Sequence, residues 1–75
     1  MIPDKEHLKR YCKTVYAILT TKGKCTLQEL LRLCSIDSTG ICIALLQLIR
    51  DGKIEQTNES GGKVIYKTII DDRHP

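Results

Sequence analysis

Four cysteines, two histidines and twelve basic side chains are the residues of this 75-residue chain that could do chemistry. Zinc sites usually draw two ligands from one tight knuckle, which is why close pairs such as C-x-x-C mark them. Here Cys12, Cys25, Cys34 and Cys42 follow one another at intervals of 13, 9 and 8 residues, so no pair is close. Three of them have core or helix-start positions to fill without a metal. They are expected as free thiols acting as small hydrophobes. Cys42 is the exception, because it falls off the buried face of its helix. His7 and His74 have no Cys or Ser neighbour at a spacing that suits a catalytic pair. There are no paired carboxylates, no oriented nucleophile and no glycine-rich phosphate loop, so no catalytic residue, metal or cofactor is expected.

The basic residues are unevenly spread. The net charge is a modest +3, but residues 1–24 carry Lys5, Lys9, Arg10, Lys13, Lys22 and Lys24 against only Asp4 and Glu6. The remainder holds six basic and seven acidic groups. The first third is therefore where a phosphate-facing surface is expected. A solvated helix face is the plain alternative. No run of basic, apolar and small residues resembles a secretory leader, so thiols kept reduced inside the cell, in the nucleus or cytoplasm, are expected over a disulfide scaffold. No apolar run approaches the ~20 residues that cross a bilayer, so no membrane partner is expected.

The elements that must position these residues are legible from caps and periodicity. A chain of this length makes one domain, 1–75, with little margin of stability. It suits an excised domain as well as a complete protein. Asp4 caps a first helix, about 5–21, with Leu8, Tyr11, Cys12, Val15, Ile18 and Leu19 on its apolar side. Lys5, Glu6, Lys9, Arg10, Lys13 and Thr14 lie on the other, and Gly23 stops it. Lys24-Cys25 is too short for more than an extended bridge. Thr26-Leu27-Gln28-Glu29 is a capping box with Cys25 and Leu30 at the staple positions. It opens a second helix, about 27–34, that buries Leu27, Leu30 and Leu31. Ser35-Ile36-Asp37 turns the chain into a third helix, about 38–51, and Ile36 plugs the angle between the two. Ile41, Ala44, Leu45, Leu48 and Ile49 form the inner face of that third helix. Strands at about 53–58 and 63–69 flank a loop containing Gly61-Gly62, with Val64 and Tyr66 placed inward. Residues 71–75 have nothing to pack and should fray.

The fold class is mainly α with a small antiparallel β-hairpin. A helix ending in Ala44-Leu45, Leu48-Ile49 and Asp51-Gly52-Lys53-Ile54, and running into a hairpin, resembles the third helix and first wing strand of winged helix-turn-helix domains. The resemblance covers nearly the whole chain: three helices, then a two-stranded wing. It implies a DNA- or chromatin-linked role, with the third helix as the one that enters the major groove in DNA-reading members.

The outer positions of that helix are Ser38, Thr39, Cys42, Ile43, Leu46, Gln47 and Arg50. Ser38, Thr39 and the helix N-terminus could take a phosphate. The middle of the face is greasy, and hiding each aliphatic side chain from water is worth ~1.5–3 kcal/mol. Three explanations stand: docking on a protein or a second copy of the chain, cover by Met1 and Ile2, or isolated exposed residues. The winged-helix family that reads left-handed DNA places Asn and Tyr at positions matching about Cys42 and Leu46 here, so that use is not expected. Two functions follow. In the first, a non-enzymatic module touches the DNA backbone without sequence preference, through Lys5, Lys9, Arg10, Lys13, Lys22 and Lys24, with Ser38, Thr39, Arg50 and Lys63 in support. In the second, the module docks on a protein or a second copy through Cys42, Ile43, Leu46 and Gln47, without DNA.

Overall fold

The computed structural model describes residues 4–69. The expectations for Met1 and Ile2 and for residues 71–75 lie outside that range. The order of elements is α1 (Lys5–Lys22), β1 (Lys24–Cys25), α2 (Leu27–Leu33), α3 (Ser38–Arg50), β2 (Ile54–Glu59) and β3 (Lys63–Thr68). Three helices pack against one antiparallel sheet of strand order β1-β3-β2.

Each helix begins where a short polar side chain can satisfy amides that have no partner within the helix. Asp4 accepts from the His7 amide at 2.9 Å and sits 2.8 Å from the His7 ring Nδ1. Asp37 accepts from the Gly40 amide at 3.0 Å. At α2 both halves of the capping box form: the Glu29 amide donates to Thr26 Oγ1 at 3.2 Å, and the Thr26 amide donates to Glu29 Oε1 at 2.9 Å. Cys25 and Leu30, at the staple positions around that box, are both buried.

The end of α3 is equally determined. The Lys53 amide donates to the Leu48 carbonyl and the Gly52 amide to that of Ile49, each at 3.0 Å. This paired closure needs a left-handed residue just past the helix, and Gly52 supplies it at φ +73°. It folds Lys53 back beside the helix end. From there the Ile69 amide donates to the Lys53 carbonyl at 3.0 Å, tying the far end of β3 to the start of β2.

The core gathers Val15 and Leu19 of α1, Leu30 of α2, Ile41, Ala44, Leu45 and Leu48 of α3, with Cys25 and Ile54 from the sheet. Tyr11, Ile36 and Tyr66 pack against it half-buried. The inner faces expected for α1 and α3 are the ones the fold buries.

The two-stranded wing is part of a three-stranded sheet, because the short extended bridge expected at Lys24-Cys25 joins it: Lys24 pairs with Lys67 and Cys25 with Tyr66, so β3 is the middle strand. The inward assignment of Val64 needs correction, since Val64 is 36% exposed while Ile65 is only 5% exposed. Val64 lies on the same side of the ladder as core-packed Tyr66, but nearer the hairpin tip, where it borders an open cleft beside Leu27 and Glu29 of α2 and stays partly exposed. Ile65 is flanked by Thr57 on β2 and by the end of β1, and a middle strand shelters its side chains from both edges.

The capping box carries a pH dependence. The Glu29 carboxyl is held below its usual range, chiefly by the hydrogen bond from the Thr26 amide. A carboxyl depressed in the folded state stabilises above its unfolded pKa, and that stability is lost as pH falls through the folded value. Asp4, depressed by the His7 amide and ring, acts in the same direction. Thermal melts are therefore expected to fall between neutral pH and about pH 3. Glu29→Gln, which keeps an acceptor oxygen but cannot titrate, is expected to show a smaller fall over that interval. An equal fall in both proteins would remove the capping box from the acid response.

Candidate nucleic-acid interface

The outer side of α1 carries the densest positive charge in the structure. Lys5, Lys9, Arg10 and Lys13 are all exposed. Lys5, Lys9 and Lys13 recur every fourth residue, so they stack along one line of the helix. Like charges at that spacing destabilise a helix by roughly 0.2–0.5 kcal/mol per pair. Among the described residues no carboxylate pairs with any of the four within ion-pair distance; the two ion pairs present are His7–Asp4 and Lys24–Glu59. The row is thus a small internal cost that an external anion would relieve.

The other expected phosphate contacts are more scattered. Lys22 is exposed at the last turn of α1. The Lys24 ammonium lies 3.0 Å from Glu59 Oε2, so its charge is already partly answered by the hairpin. Lys63 stands directly opposite Glu59 across β2 and β3, and Lys67 opposite Glu55. The hairpin therefore offers mixed charge. Ser38 and Thr39 are exposed on the first turn of α3, and Arg50 on its last.

The outer face of α3 divides. Leu46 is 67% exposed, and Cys42 is exposed beside it one turn earlier. Ile43 is half-buried in the lone chain. Gln47 is also half-buried, and its amide donates to Asp51 at 3.1 Å. The face expected to meet a partner through four side chains presents two. Tyr66, half-buried against the core, has its phenol pushed up by burial, with a smaller contribution from Cys42 nearby.

The thiols behave as packing groups. Burial pushes Cys25, Cys34 and Cys12 up, which keeps them protonated. Cys12 points its thiol at the Ala44 carbonyl, 3.8 Å away. Among the described residues no group of three or more His, Cys, Asp or Glu side chains could hold a metal. No single helix among them is long and apolar enough to cross a membrane.

Two residues join the basic row that sequence reading passed over. Lys53 is one of them, brought beside α1 by the turn at Gly52. Tyr16 is the other. It is 37% exposed and continues the line of Lys5, Lys9 and Cys12 by one more turn. The spacing of Tyr16 was a signal available in the sequence; the placement of Lys53 depends on a folded turn and was not. Lys5, Lys9, Lys13 and Gln47, assigned above to two different functions, line one shared cleft. Compared with family models, with curated proteins and with solved structures, the chain returns no match.

Proposed function

We infer that the chain is a non-enzymatic winged helix-turn-helix module of a DNA- or chromatin-linked assembly. It rests on the phosphate backbone through the outer side of α1 and reads no sequence. The observation that carries this reading is the row of Lys5, Lys9, Arg10 and Lys13, exposed and without carboxylate partners among the described residues. The order of three helices and a hairpin supports the module, and a positive row with no answering charge suits a polyanion.

The lack of base readout follows from α3. Discrimination in the major groove needs donors and acceptors such as Arg, Asn or Gln aimed at base edges. Cys42 and Leu46 occupy the middle of the outward face, and the Gln47 amide is engaged by Asp51. Ser38, Thr39 and Arg50 remain for phosphates at the two ends of that helix.

The alternative, docking through α3 on a second copy of the chain, is favoured by the exposure of Leu46. A stable interface buries about 800 Å² on each partner. With Ile43 half-buried, Cys42 and Leu46 alone fall well short of that, so the geometry favours the DNA reading.

The test is a titration of two labelled duplexes of unrelated sequence at low salt. Equal affinities, within about threefold, are expected, because phosphate contacts carry no sequence information. A strong preference for one duplex, or no binding to either, contradicts the reading.

A further inference from the structure

The basic row does not border open water on every side. Lys5, Lys9 and Lys13 stand along a cleft of about 600 Å³ between α1 and the end of α3, and Lys53 stands on the α3 wall. Its apolar lining is Leu8, Cys12 and Tyr16 from α1 with Leu48 from α3. Leu8 to Tyr16 spans a little over two turns, and Lys5 to Tyr16 roughly 16 Å at 1.5 Å per residue. That length matches about three turns of another helix.

Duplex DNA cannot use such a trough. Phosphates could meet the rim, but the small deoxyribose C–H groups of the backbone are interrupted by charged phosphates and are not large enough to cover Leu8, Cys12 and Tyr16. A second copy of this chain is also a poor occupant. Its α1 would bring the same lysines, its α3 contains no acidic residue, and its α2 contains only Glu29. An apolar trough edged by four cations is complementary to a helix with one apolar stripe flanked by carboxylates. Asp51 is the one acidic group in the lining. It accepts from the Gln47 amide and is outnumbered by four lysines.

We propose that this cleft binds an acidic amphipathic helix of another protein. Its apolar side chains sit on Leu8, Cys12 and Tyr16, and its Asp and Glu side chains face Lys5, Lys9, Lys13 and Lys53. The proposal stands independently of the DNA reading but shares three lysines with it, so the two ligands compete for α1.

The experiment titrates the isotope-labelled full chain with a synthetic peptide of about fourteen residues, leucines on one face and glutamates beside them. A scrambled peptide of equal charge, a short duplex DNA, and phosphatidylcholine–phosphatidylserine vesicles are the comparison arms. The patterned peptide is expected to shift the signals of Leu8, Cys12, Tyr16 and Lys53, and to displace DNA. Tyr16→Ala and Lys9→Glu are each expected to weaken the peptide about tenfold, on the scale of one lost anchor or one reversed rim charge. Arg10→Ala, outside the cleft, is expected to leave the peptide unaffected and to weaken DNA. Thermal melts establish that each variant is folded, and Lys9→Glu, being exposed, keeps the test open if Tyr16→Ala is not. Equal binding of the scrambled peptide overturns the proposal. So does an unchanged peptide affinity in folded Tyr16→Ala, or shifts at the apolar lining caused only by vesicles or DNA. None of those outcomes affects the weakening of DNA by Arg10→Ala, which bears on the DNA reading alone.

Discussion

Gly40→Ala is expected to lower the melting temperature by roughly 6 °C, equivalent to about 1 kcal/mol in a domain of this size. Gly40 lies in the first turn of α3, where alanine would ordinarily favour the helix by up to ~1 kcal/mol. Here three atoms close on the position. A Cβ would stand 2.7 Å from Ile36 Cγ2, 2.9 Å from Tyr11 Cε2 and 2.9 Å from Asp37 Oδ1. One of them could move cheaply; all three together cannot. Moving Ile36 opens the angle between α2 and α3, moving Tyr11 disturbs the contact of α1 with α3, and moving the Asp37 carboxylate loosens the cap of α3. Overpacking of this kind typically costs 1–3 kcal/mol, about twice what the helix gains. Combining Gly40→Ala with Ile36→Ala should cost less than the two single changes added together, because the second change clears the nearest contact. Thermal melts of the three variants measure this. A melting temperature unchanged or raised in Gly40→Ala would contradict the close approach of α1 and of the turn between α2 and α3 to Gly40.

The second large effect is on DNA. Lys9→Glu/Lys13→Glu is expected to weaken duplex binding roughly a hundredfold at low salt. With the full screening of bulk water, a unit charge 4 Å from another contributes about 1 kcal/mol, so each reversal replaces an attraction with a repulsion of similar size. Two reversals make roughly 3–4 kcal/mol before rearrangement, and some relaxation of the complex brings this nearer to two decades in affinity. Both side chains are exposed, so the fold should tolerate the change. Lys24→Ala is expected to alter binding by less than about threefold, because that ammonium is already engaged by Glu59. Fluorescence anisotropy on one duplex compares them. If Lys24→Ala weakened binding as much as the double reversal, the contact would lie at the hairpin and not along α1.

Much of this architecture could be read before folding because its determinants are local. Asp4, Asp37 and the Thr26–Glu29 box act within three residues of themselves, and each makes the bond its position implies. The inner faces of α1 and α3 follow from a 3.6-residue period carried by long runs. What escaped reading depends on distant partners. The extended bridge at Lys24-Cys25 was expected, but the segment is too short to show a period or to reveal that it joins β3 and makes that strand the middle one. Without that third strand, nothing in Val64-Ile65-Tyr66 indicates that Ile65 is the sheltered one. Gly40 looks like an indifferent residue in a helix until Tyr11 arrives from another helix. The basic row itself was legible, because Lys5, Lys9 and Lys13 need only the helix period to align. The cleft they border was not, because its other wall depends on Gly52 turning Lys53 back.

The central claim is that α1 meets DNA through phosphates alone. The most direct measurement is the affinity of the wild-type chain for one duplex across a series of salt concentrations. Four phosphate contacts by Lys5, Lys9, Arg10 and Lys13 give an expected slope of about −3.6 in log affinity against log salt, at −0.9 per contact, and a fifth by Arg50 steepens it to about −4.5. A slope near zero, or no binding even at the lowest salt, would contradict it.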